Sequence, residues 1–162
     1  MSVVLREAVS RATREIVSSA LSWRVSNGRL VVRPVNSATS EASAIIGFLG
    51  SVEGTLTLRC TRRIAVEATR AMLGVEATEE SAEVRDAIGE LLNMVIGQAK
   101  TYYADSGDSF TFTLPTTVMG ENYQIYVRAR PGATVESIHY LCPLGPRSEE
   151  RRVGKEGRSR WS

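Results

Sequence analysis

One long amphipathic pattern constrains this chain more than any other feature. From Val84 to Tyr103, the residues Val84, Ile88, Leu91, Leu92, Val95, Ala99, Tyr102 and Tyr103 fall in a single arc when turned at about 100° per residue. The spacing predicts a helix whose apolar stripe is buried against a second layer. Glu83, Asp86, Asn93, Met94, Gly97 and Thr101 gather on the other side, within about a sixth of a turn of Glu90. Glu90 and Asn93 stand three residues apart, so they project side by side from the solvent face. A carboxylate is a charged anchor, and a carboxamide both donates and accepts hydrogen bonds. Such a pair can hold and aim a water molecule.

Two neighbours on that face are unusual. Met94 is expected to be exposed, where an adaptable thioether suits contact with another protein. Gly97 lies inside the helix, where glycine is about 0.8–1 kcal/mol worse than alanine. Close approach by a second surface is one reason for it. The alternative is an ordinary solvated face whose glycines pack against neighbours, and spacing alone leaves both readings open.

The 162 residues have room for one compact domain with a proper core. No apolar run reaches the length of about 18 residues that a bilayer requires. Arg6, Glu7, Arg11, Arg14 and Glu15 interrupt any secretory-signal pattern at the amino terminus. Cys60 and Cys142 lie in separate strand-like runs without metal-ligand spacing, which fits a reducing cytoplasm. With His139 as the one histidine, no Ser-His-Asp or His-rich metal site can be assembled. His139 alternates with Ile138 and Tyr140 and is expected in a sheet.

The slight basic excess comes from the carboxy terminus. Residues 147–162, RSEERRVGKEGRSRWS, carry six Arg or Lys against three Glu; without them the formal +2 becomes −1. This segment has no period at 2 or 3.6 and is expected to be disordered. A basic arm for nucleic acid would be its functional reading. The string nevertheless closely resembles a common sequencing-adaptor oligonucleotide translated as coding sequence, so it is set aside as foreign. No aromatic-and-basic pattern elsewhere supports nucleic-acid binding.

Helical spacing from Ser2 to about Leu21 predicts a first helix. Asn27-Gly28 is a turn signal, followed by a short strand over Arg29 to Val35 and a polar loop over 36–40. Ser43 to Leu49 and Gly54 to Cys60 read as a hairpin, with Leu56 and Leu58 facing one way and Thr55, Thr57 and Arg59 the other. Thr61 can cap a helix over Arg62 to Leu73, which Gly74 would end. Thr78 with Glu79 and Glu80 favours the start of the long helix, and 105–108 its end. Phe110 to Leu114 alternates as a strand ending near Pro115. Gln124 to Arg130 and Val135 to Cys142 read as further strands. The expected fold class is mixed α/β (α+β), a largely antiparallel sheet covered by long helices.

Four stretches carry a family resemblance: Ile45 to Leu56 (IIGFLGSVEGTL), Ala71 to Gly74 (AMLG), Asp86 to Lys100 (DAIGELLNMVIGQAK) and Leu114 to Gly120 (LPTTVMG). In order and separation they resemble CheX, of the CheC/CheX/FliY class of chemotaxis phosphatases. The helix motif is specific when that hairpin precedes it and the Pro-Thr strand follows.

The resemblance implies dephosphorylation of a CheY-like receiver phosphorylated on an aspartate. The family's ExxN motif matches Glu90 and Asn93. By that carry-over, Asn93 would orient a water in line with phosphorus, and Glu90 would pair with the receiver's lysine. Mg²⁺ would belong to the receiver, so the chain needs no metal or cofactor of its own. Gly97 would leave room for the receiver, Met94 would touch it at the rim, and Asp86 would add negative potential. The helix Arg62 to Leu73 has Arg70 three residues after Glu67, hence no second ExxN and one site per chain. A homodimer joined at sheet edges is implied as well. Family domains continue with a further strand after a turn like Gly145-Pro146. The adaptor-like tail begins there, so that strand is expected to be missing and a sheet edge left unpaired. The competing function is a non-catalytic adaptor for a signalling or flagellar partner using the same helix face. A stand-alone dimerisation module is a third.

Overall fold

The structure is a computed structural model that describes residues 3–25, 30–32, 40–78, 81–125, 130–142 and 158–161. Its elements are α1 (Val3–Leu21), β1 (Leu30–Val32), β2 (Ser40–Gly50), β3 (Gly54–Cys60), α2 (Arg62–Leu73), α3 (Ala82–Ala104), β4 (Phe110–Phe112), β5 (Thr116–Tyr123), β6 (Glu136–Leu141) and β7 (Arg158–Trp161).

The hairpin organises the sheet. β2 pairs antiparallel with β3 from Ala42↔Cys60 to Phe48↔Gly54. Its other edge is shared: β4 takes the end at Phe48–Gly50 and β5 takes Ser40–Ile45. Among the described residues, seven strands follow the order β1-β6-β7-β3-β2-β4, with β5 beside β2, and each pairing is antiparallel. The mixed, largely antiparallel α/β class expected from the sequence is the one observed. Thr57, expected on the outward row of β3, is buried together with Leu56 and Leu58.

Local chemistry accounts for the helices. Thr61 has extended backbone and its Oγ1 accepts the Ile64 N–H at 3.2 Å, which starts α2. Gly74 ends it with φ 66°, a left-handed conformation that suits glycine, and donates to the Arg70 carbonyl. Ser81 occupies the capping position of α3, but its Oγ donates to the Thr78 carbonyl at 3.0 Å instead of accepting from a helix N–H, so packing rather than side-chain capping fixes that start. α3 packs against α1 and α2 and against β2, β3 and β5. At the far end of α3 the Tyr102 hydroxyl donates to the Glu15 carboxylate, and the Arg11 guanidinium lies 4.0 Å from the centre of the Tyr102 ring. α1 also reaches β6, through Arg6–Glu136 at 3.6 Å and a Ser10–Tyr140 hydroxyl contact of 3.2 Å.

Several expectations need correction. The strand expected over Gln124 to Arg130 is not seen at Gln124 and Ile125, and 126–129 lie outside the described residues. A strand instead covers Thr116–Tyr123. The Asn27-Gly28 turn and most of the loop over 36–40 lie outside the described residues, as do Glu79 and Glu80. Disorder was expected throughout 147–162, yet Arg158–Trp161 forms β7. It pairs Ile138↔Trp161 to Leu141↔Arg158 on one side and Leu58↔Trp161 and Arg59↔Arg160 on the other. The physical reason is that β3 and β6 run alongside one strand-width of unmet backbone donors and acceptors, which an extended segment can satisfy whatever its sequence. Residues 143–157 lie outside the described residues.

Candidate functional site

α3 is more deeply enclosed than its apolar arc implies. Val84, Ile88, Leu91, Leu92, Val95, Ala99 and Tyr103 are buried, as their spacing predicts, and so are Ala87, Gly89 and Ile96 on the two flanks. Beyond its first turn, a narrow strip of the helix carries most of what reaches solvent. Asp86, Glu90 and Thr101 are exposed along it, while Asn93, Met94 and Gly97 are half-buried.

Glu90 and Asn93 therefore share one open strip, and neither points into the core. Among the described residues, no hydrogen bond or ion pair holds either side chain. Both groups are available to an incoming surface. Asp86 stands one turn before Glu90, adding a second exposed carboxylate. Met94 differs from expectation. It is half-buried and packs against the core cluster, so its thioether is only partly offered to a partner.

Two glycines of this helix differ in what surrounds them. A methyl group on Gly97 would meet nothing within 4 Å. Among the described residues, no packing explains that glycine. A methyl group on Gly89 would come 3.2 Å from Thr117 Cγ2 and 3.3 Å from Pro115 Cγ. The segment between β4 and β5 is thus seated on the helix flank beside Asn93, since residues 89 and 93 are one turn apart. Farther along the same flank, the Lys100 ammonium lies 5.9 Å from the centre of the Phe112 ring. The sequence reading did not place Pro115 next to the motif. A glycine inside an otherwise strong helix pattern was the available signal.

An apolar cavity lies elsewhere. It is lined by Val17, Leu21, Ile64, Ile88 and Leu91, with Cys60 and Cys142 at its wall. These residues of α3 face away from Glu90, so the cavity belongs to the core and not to the strip. Burial, then the nearby Cys142, pushes the Cys60 thiol up from its ordinary pKa. Among the described residues no group of three His, Cys, Asp or Glu could hold a metal ion, and no helix is long and apolar enough to cross a membrane.

The chain matches the family model described as chemotaxis phosphatase CheX over residues 42–138, more than half its length. No curated protein sequence matches it. Among solved structures it is similar to the chemotaxis protein CheX of Desulfovibrio desulfuricans, at 23% identity and a TM-score of 0.81 over 97% of this chain and 95% of that one. CheX of Vibrio vulnificus gives 21% identity and a TM-score of 0.78, with 97% and 95% covered. A chain of the CheX–CheY–BeF₃–Mg²⁺ complex of Borrelia burgdorferi gives 19% identity and a TM-score of 0.67, with 99% and 96% covered. At these identities the neighbours establish the fold, and the family match over the strand pair, the α3 motif and β5 establishes membership. The chain belongs to the chemotaxis phosphatase CheX family.

Proposed function

We infer that this protein hydrolyses the aspartyl phosphate of a CheY-like receiver, with Asn93 as the catalytic residue and Glu90 as the docking residue. The observation that carries this reading is that exposed Glu90 and half-buried Asn93 lie on one strip of α3, neither held by a hydrogen bond or ion pair among the described residues. The Borrelia burgdorferi relative, solved in a CheX–CheY complex with BeF₃ and Mg²⁺, supports a receiver as the partner.

The chemistry asks little of the enzyme beyond placement. Water adds to phosphorus as the bond to the aspartate oxygen breaks, giving a free carboxylate and inorganic phosphate, and the water's proton passes to phosphate or solvent. Phosphoryl transfer depends on in-line positioning and charge neutralisation more than on a strong base. A carboxamide suits that task, because its oxygen accepts from the water while its N–H₂ donates to a phosphoryl oxygen. Glu90 supplies a fixed negative charge for the receiver's lysine, which sets the register of docking. Mg²⁺ would be the receiver's, neutralising phosphoryl charge there. A homodimer, as the family resemblance implies, is part of the same proposal.

The test is the decay of a phosphorylated CheY-type receiver with and without the protein. Asn93→Ala is expected to slow the catalysed decay by about 10²-fold or more while leaving receiver binding largely intact. Glu90→Ala is expected to raise the receiver concentration needed for half-maximal rate. Unaccelerated decay with wild-type protein, across CheY-type receivers that bind it, would favour the adaptor reading instead.

A further inference from the structure

We propose that Leu114 is a receiver-contact residue that sets affinity and specificity at the Asn93 margin of the strip; this rests on the receiver reading above. Leu114 is 86% exposed, the most exposed of the large apolar side chains described. A scattered surface leucine is ordinary in itself. Its mounting is not. Immediately before it, Thr113 is held twice to β2: its N–H donates to the Gly47 carbonyl at 2.9 Å, and its Oγ1 accepts the Gly47 N–H at 3.1 Å. Immediately after it, Pro115 has its backbone rotation fixed by the ring and is seated at Gly89. Leu114 is therefore pinned at both sides while its own side chain is left in water.

A pinned apolar group loses little further freedom on association, which makes it an efficient anchor. Its position gives it a partner. Pro115 packs at Gly89, one turn from Asn93, so Leu114 belongs to the short segment seated against the helix flank that carries Asn93. The strip then carries two kinds of recognition. Exposed Glu90 and Asp86 offer charge on the strip itself, and Leu114 offers apolar surface on the segment seated against its flank. The occupant is the phosphorylated receiver itself, which must then carry an apolar patch beside its phosphorylation pocket. Charge would guide the encounter, and the leucine would hold the docked complex.

The experiment titrates wild type, Leu114→Glu, Leu114→Ala and Leu114→Met with CheY-type receivers activated by beryllofluoride and Mg²⁺, then follows decay of the phosphorylated receivers. The leucine is almost fully solvated, so the variants fold, which circular dichroism checks. Leu114→Glu should weaken binding by about tenfold or more, with KM raised and kcat nearly unchanged. Leu114→Ala should fall between, and Leu114→Met should restore wild-type behaviour. Wild-type affinity and KM in Leu114→Glu, with the wild type active, would overturn this proposal and leave the phosphatase reading intact. Binding that Leu114→Glu weakens, without any accelerated decay by wild type, would support this proposal and remove the catalytic reading. Absence of wild-type binding to any activated receiver would overturn both.

Discussion

Gly89 of α3 and Pro115 at the head of β5 touch closely enough that a single added methyl group on the glycine would lie 3.3 Å from the proline Cγ. Thr117 is closer still, at 3.2 Å. The helix that carries Glu90 and Asn93 is thereby keyed to the strand that follows it. Alanine at position 89 would gain about 0.8–1 kcal/mol of helix propensity, against about 1–3 kcal/mol for overpacking. Gly89→Ala should therefore change stability by roughly 0 to −2 kcal/mol. Gly89→Val should be worse, and both should reduce turnover by displacing Pro115 from the Asn93 flank. Urea denaturation alongside receiver decay checks this, and a stabilised, fully active Gly89→Val would contradict it.

Gly97 predicts the opposite sign. Its added methyl group would meet open space, so Gly97→Ala should stabilise the free protein by about 0.8–1 kcal/mol. If the receiver approaches closely there, the same substitution should weaken binding. A gain in midpoint with a loss in affinity is the expected pairing, read from denaturation and titration together. A gain in both would mean that no partner needs the room this glycine leaves.

Two buried acids set an alkaline limit. Burial raises the Cys60 thiol, and burial also raises the Tyr140 hydroxyl against the opposing effect of its bond with Ser10. Each group holds its proton more tightly folded than unfolded. Their contribution is complete below the ordinary values of 9.0 and 10.0 and is lost as pH climbs beyond them. The melting temperature should be flat near neutrality and fall above about pH 9. Cys60→Ala should start lower, by the loss of a small buried side chain, and fall less steeply. Parallel slopes for the two proteins would rule Cys60 out as a source.

Removal of residues 147–162 should destabilise the sheet. β7 bonds to β6 over four residue pairs and to β3 over two, and backbone bonds contribute about 0.5–1.5 kcal/mol each. A loss on the order of 2–4 kcal/mol is expected, with greater self-association from the exposed strand edges. Denaturation and light scattering of the shortened chain measure both. Unchanged stability would mean that these four residues add nothing to the sheet.

How much of this was legible from the sequence varied with how local the cause was. Thr61 and Gly74 bracket α2 through short-range chemistry, and both acted as their residue types predict. The face shared by Glu90 and Asn93 followed from helical period alone. β5 was harder to read. Thr116 to Tyr123 lacks clean alternation, and Pro115 looked like the end of one strand rather than the approach to another. What makes it a strand is the long free edge of β2 beside it. The burial of Ala87, Gly89 and Ile96 was equally hidden, since the width of a buried stripe depends on which neighbours arrive on each flank. Strand β7 had no signal in its own composition, because the demand for it lies in β3 and β6.

α3 has neighbours on both flanks as well as beneath it. A rod gripped in that way cannot roll or slide to improve its fit, so its reactive edge behaves as a fixed gauge. Any accommodation must be made by the visitor. Under the phosphatase reading, differences in turnover among rival receivers would then report how readily each of them deforms, since α3 presents every one with the same unyielding profile.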